Sequence, residues 1–67
     1  MNQIIHLAVG EDLYEVSLRG TTITRILRYW KGSAQRTVVD YDDLPVATRE
    51  KVLQKIIEVL SKQNHYD

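Results

Sequence analysis

Sixty-seven residues make a single domain that buries only about 60% of the surface its unfolded chain exposes, which limits stability to roughly 3–10 kcal/mol. A hydrophobic fraction of 43% and a formal net charge of zero, from 9 basic and 9 acidic residues, argue against disorder and against a strongly charged binder. With no cysteine there is neither a disulfide nor a thiolate metal site; this fits a reducing cytoplasm and leaves packing, or homodimerisation, to supply stability.

The N-terminus (MNQIIHLAVG) lacks the basic n-region and the longer apolar core of a signal peptide, and no run approaches the ~20 residues of a membrane span. A soluble, cytoplasmic protein that does not engage a membrane is expected. Residues 4–9 (IIHLAV) place Ile5, Leu7 and Val9 on one side of an extended strand and Ile4, His6 and Ala8 on the other. After turn chemistry at Gly10, Glu11 and Asp12, residues 13–19 alternate Tyr14, Val16 and Leu18 against Glu15, Ser17 and Arg19, completing an antiparallel hairpin. Gly20 and Thr21 follow, with glycine at the first central position that a tight type II′ hairpin turn demands.

Residues 22–31 (TITRILRYWK) satisfy two templates. As a helix, Ile23, Ile26, Leu27 and Trp30 follow an i, i+3, i+4, i+7 spacing between Thr22 and Gly32 caps. As a strand, the segment is rich in β-branched and aromatic residues, and a bulge would reconcile Ile23 with Ile26. The strand is preferred, because a sheet of three or four strands covers one long helix more completely. Residues 31–35 (KGSAQ) are a loop, and 36–41 (RTVVDY) a short β-rich run.

Residues 45–62 (PVATREKVLQKIIEVLSK) carry the longest helical period. Val52, Leu53, Ile56, Ile57, Val59 and Leu60 share an arc that Val46 joins, predicted to be wholly buried. Asp43 is the expected N-cap, with Pro45 in the first turn, and Glu58 and Lys62 stand at i,i+4 on the wet side. Residues 63–67 offer nothing to pack and are expected to form a flexible tail. The fold predicted is α+β: a small antiparallel β-meander followed by one long C-terminal amphipathic helix on one face, residues 1–62 forming the domain.

The most distinctive functional feature is charge segregation. Residues 17–39 contain Arg19, Arg25, Arg28, Lys31 and Arg36 and no acid, whereas acids flank them on both sides. With Tyr29 and Trp30 these residues form the candidate binding surface, since Arg, Tyr and Trp dominate interface hot spots. If the Ile26 side of the strand faces away from the helix, Ile26 and Trp30 join that surface as an exposed patch. Alternatively, the arginines contact phosphates while an aromatic ring stacks an unpaired base. The bland counterpart is a solvated sheet face with Trp30 in the core.

Other chemistry finds little support. The acids of DYDD (Asp40, Asp42, Asp43) fail the EF-hand spacing, with Pro45 where glycine is needed and Lys51 where glutamate is needed; helix capping accounts for them. His6 and His65 lack Cys, His or Glu at ligand spacing, so no metal is expected. Ser17, Ser33 and Ser61 lie in no nucleophile elbow, and Gly10, Gly20 and Gly32 are too far apart for a phosphate loop. The expectation is a non-enzyme without cofactor or small-molecule substrate, which binds a partner protein or its own copy through residues 19–36. The alternative is a nucleic-acid binder using the same residues.

Overall fold

A computed structural model describes residues 2–63 of the chain. Four antiparallel strands, β1 (Asn2–Val9), β2 (Asp12–Arg19), β3 (Thr22–Trp30) and β4 (Thr37–Val39), form one sheet in the order β1-β2-β3-β4, and helix α1 (Val46–Gln63) packs on one face. Residues 22–30 are therefore extended, Lys31 falls in the turn that follows, and the helical reading is set aside.

Both tight hairpin turns follow from their glycines. Gly10 and Gly20 take φ of 63° and 64°, and no other residue type has positive φ among the described residues. Positive φ at the first central position alone is the pattern of a type II′ turn, whose twist matches that of the strands. Register follows: Ile5 lies opposite Val16 and Leu7 opposite Tyr14, so the apolar sets of β1 and β2 share a face.

The uneven alternation of β3 is resolved by a bulge. Arg25 pairs with Ser17 but Ile23 pairs with Leu18, leaving Thr24 as the extra residue. Its hydroxyl donates to the Ser17 carbonyl at 3.2 Å. One added residue between Ile23 and Ile26 turns both toward the helix, although simple alternation would separate them. Ile26, 2% exposed, is thus core rather than part of an outward patch.

The core consists of Ile5, Tyr14, Val16, Leu18 and Ile26 from the sheet, Leu44 from the approach to the helix, and Val52 and Ile56 from α1. Buried Thr48 brings a hydroxyl into this apolar layer, where it is hydrogen-bonded to Tyr14. A polar pair inside an apolar contact helps fix how the helix sits on the sheet, because sliding would leave both groups unsatisfied.

Two details of α1 depart from expectation. Asp43 is not its N-cap: residues 41–43 form a separate 3-10 turn, in which Asp43 N donates to Asp40 O at 3.0 Å and Leu44 N to Tyr41 O at 3.2 Å. The helix begins at Val46, and the Arg49 amide already donates to the Pro45 carbonyl at 2.9 Å. Proline locks φ and lets that first bond form directly, so no aspartate is required.

The apolar arc is also not wholly buried. Val52 and Ile56 face the sheet, whereas Val46, Leu53 and Ile57 are 61%, 44% and 63% exposed. The arc is wider than the contact available, because α1 approaches the sheet mainly along β1, at its edge. On the wet side Glu58 accepts from Lys62 at 3.3 Å and approaches Lys55 at 3.8 Å, as its spacing requires. The helix continues to Gln63, one residue into the expected tail; the rest of that tail, with His65, lies outside the described residues. Among the described residues no helix is long and apolar enough to cross a membrane.

Candidate functional site

Strand alternation divides the basic segment between the two faces of the sheet. Arg25, Leu27 and Tyr29 point away from the helix, while Ile26, Arg28 and Trp30 lie on the helix side, opposite Val16, Tyr14 and Asp12. The side chain of each consecutive strand residue reverses direction, so a run of neighbours cannot form one surface. The seven candidates therefore separate into an open-face group, Arg19, Arg25, Tyr29 and Arg36; a helix-side pair, Arg28 and Trp30; and Lys31, exposed in the turn after β3.

On the open face the cross-strand rows can be read directly. Ile4 lies beside Ser17 and Arg25; His6 beside Glu15, Leu27 and Val38; Ala8 beside Leu13 and Tyr29. Ile4 and Val38 are 57% and 65% exposed, and no helix covers this side. Arg36 reaches back over the face from the β3–β4 loop. Its guanidinium lies 3.8 Å from the Tyr29 ring centroid, its Nε is 3.5 Å from Glu15 Oε1, and its Nη1 donates to the Ser33 carbonyl at 3.1 Å. Three contacts of different kind hold the group over the ring, where a cation is attracted by the π face.

Glu15 is the single acid that the four strands place on this face. It is engaged by Arg36 and by His6, whose Nδ1 is 3.9 Å from the same carboxylate oxygen. Arg19 and Arg25 are different. They line a common groove of about 800 Å3 with Asn2, Ser17 and Thr24, and among the described residues no carboxylate pairs with either. The open face thus carries exposed Ile4 and Val38 on its two edge strands, Leu27 and the His6–Glu15–Arg36 cluster between them, and Arg19 and Arg25 at one end.

Arg28 does not face outward as the basic-surface reading requires. It is half-buried and donates to the hydroxyl of Tyr14. The Tyr14 phenol is held above its ordinary 10.0, first by burial and then by the nearby Asp12 carboxylate, with Arg28 and Thr48 opposing the shift. Trp30 is 55% exposed at the end of β3, on the opposite side of the sheet from Tyr29. The two rings share no stacking platform.

Residue-type reasoning overlooked the apolar part of this surface. Ile4, Leu27 and Val38 carry none of the charge or aromatic signal that singled out the arginines, although alternation already separated Ile4 from Ile5, Leu7 and Val9. Among the described residues no group of three or more His, Asp or Glu side chains is placed to hold a metal ion. Comparison of the chain with family models, with characterised protein sequences and with solved structures finds no match.

Proposed function

We propose that this protein is a non-enzymatic binding module whose open sheet face receives an acidic protein surface. The observation that carries the reading is the composition of that face: exposed Ile4 and Val38 on its edge strands, Arg19 and Arg25 at one end with no described carboxylate beside them, and Glu15 already engaged by Arg36. Exposed apolar side chains next to cationic ones suit a protein interface, where Arg and Tyr are favoured anchors. Arg19 and Arg25, which no carboxylate pairs with among the described residues, favour a partner that brings carboxylates, through charge complementarity that also speeds encounter. Cysteine-free composition fits work in the reducing cytoplasm.

Nucleic-acid binding through the same residues is the weaker reading. It needs an open aromatic face for base stacking, and the Tyr29 ring is occupied by Arg36 while Trp30 is turned the other way.

The test is site-specific photo-crosslinking from position 38 in the native cell, comparing the otherwise wild-type chain with the Arg19→Glu, Arg25→Glu double variant. The reading expects a defined protein adduct, mapped to an acidic region of the partner and lost in the charge-reversed chain while circular dichroism is unchanged. Equal adduct yields from both chains would refute the assignment. Labelled single-stranded RNA is followed by anisotropy in parallel. Binding whose affinity falls with salt at a log–log slope of about −0.7 per neutralised phosphate would replace the protein partner with nucleic acid.

A further inference from the structure

The two edges of the sheet are not alike. β4 is 3 residues long, too short to template a further strand, whereas β1 runs for 8 residues with no proline, no charged side chain and no bulge, the devices that ordinarily blunt an edge. Which of its backbone groups are free follows from the hairpin. Val9 and Asp12 flank a two-residue turn and so exchange both hydrogen bonds, as do Leu7 with Tyr14 and Ile5 with Val16 at each second residue. Ile4, His6 and Ala8 therefore turn their N–H and C=O groups away from β2, and among the described residues no other backbone meets them.

Helix α1 does not close this edge. A groove of about 410 Å3 opens between His6, Leu7 and Ala8 of the strand and Lys51, Lys55 and Glu58 of the helix. Its only carboxylate, Glu58, is already engaged by Lys62 at 3.3 Å and by Lys55 at 3.8 Å. Lys51 is exposed, and among the described residues no carboxylate pairs with it.

We infer that this groove binds an extended acidic segment of a partner protein, which adds to the sheet as a fifth strand beside β1. The walls select the occupant. Outward N–H and C=O groups recurring at every second residue of a strand are matched by another extended backbone, so the main chain supplies affinity and alternate side chains supply specificity. One set of side chains on the added strand falls on the helix side, next to Lys51 and Lys55, and is acidic; the other continues the open face beside Ile4 and His6. β1 of a second copy carries no acid and would leave Lys51 unanswered, so a partner segment fits where self-pairing does not. The edge contact does not depend on Arg19 and Arg25, and it can hold or fail separately from the sheet-face reading.

The test is amide hydrogen exchange of the full chain, followed by nuclear magnetic resonance, with a peptide of alternating valine and glutamate as long as β1. Saturating peptide is expected to slow exchange at Ile4, His6 and Ala8. A synthetic chain N-methylated at the Ala8 amide keeps every side chain and every bond to β2, and its affinity for the peptide should fall about tenfold, the effect of one lost hydrogen bond. Lys51→Glu, folded by circular dichroism, should weaken the glutamate peptide to a similar degree and bind its lysine counterpart more tightly instead. No slowing of exchange at about 1 mM peptide overturns the proposal, as does binding indifferent to N-methylation. Shifts confined to Arg19 and Arg25 would put the peptide on the open face, refuting the edge site and leaving the sheet-face reading in place. Edge amides that are protected in the free chain and lose protection on dilution would show a second copy as the occupant, and would equally refute a partner segment.

Discussion

Replacing Ile26 with alanine probes the feature on which the faces of the sheet depend. Ile26 is 2% exposed, lies between Val16 and Val39 across the strands, and belongs to the core beneath the helix. Truncating such a buried side chain loses its transfer free energy and leaves a cavity that the neighbours fill only in part, together about 2–5 kcal/mol. Against a total of roughly 3–10 kcal/mol, this brings the chain to the edge of unfolding. The adjacent Leu27 is half-buried on the open face, and shortening it to alanine costs about 1 kcal/mol, since less area is involved and solvent fills the space. Urea denaturation of dilute protein, followed by far-ultraviolet circular dichroism, reads the contrast. With a slope of about 1 kcal/mol per molar urea for so small a domain, Ile26→Ala lowers the midpoint by at least about 2 M and Leu27→Ala by about 1 M. If Leu27→Ala proves as damaging as Ile26→Ala, the bulge at Thr24 is misplaced, and with it the assignment of Arg25 and Tyr29 to the open face.

Two further outcomes are expected. Gly20 has φ of 64°, and a methyl group added there meets no atom within 4 Å, so Gly20→Ala costs about 1 kcal/mol through the backbone alone. A synthetic chain carrying D-alanine at this position, which favours positive φ, should equal or exceed the wild type in thermal stability; a loss matching that of L-alanine would contradict the turn. The buried Tyr14 phenol holds its proton more tightly in the folded state than its ordinary 10.0, so its stabilising contribution is intact below about pH 10 and is lost as pH rises through the higher folded value. Tyr14→Phe costs about 1 kcal/mol at neutral pH by removing the partner of Thr48, but should show a shallower decline above pH 10. Identical alkaline slopes for the two chains would show that Tyr14 does not control that limb.

Local chemistry made most of the fold legible. Alternation in residues 4–9 and 13–19, a glycine at each tight turn and the 3.6-residue period after Pro45 each depend on a residue and its near neighbours, so the hairpins and helix could be read in one dimension. The site was legible only in part. Composition marked residues 19–36, but it could not separate Arg25 from Arg28, because which way each points depends on a bulge formed by pairing with Ser17 and Leu18 of another strand. Asp43 had the right identity for a cap and the wrong position, since it is itself part of the 3-10 turn, with Leu44 and Pro45 between it and the helix.

The sequence by itself determined the elements, their order and the apolar sets they carry, because backbone sterics and side-chain periodicity act locally. Only the tertiary structure decided which apolar residues are core and which are surface. One helix lying toward β1 buries Val52 and Ile56 yet leaves Leu53 and Ile57 in water, and among the described residues no element covers Ile4 and Val38 on the far side of the sheet. Hydrophobicity states that a side chain gains from burial; whether the chain's own elements can provide that burial depends on their size and placement, which no local pattern contains.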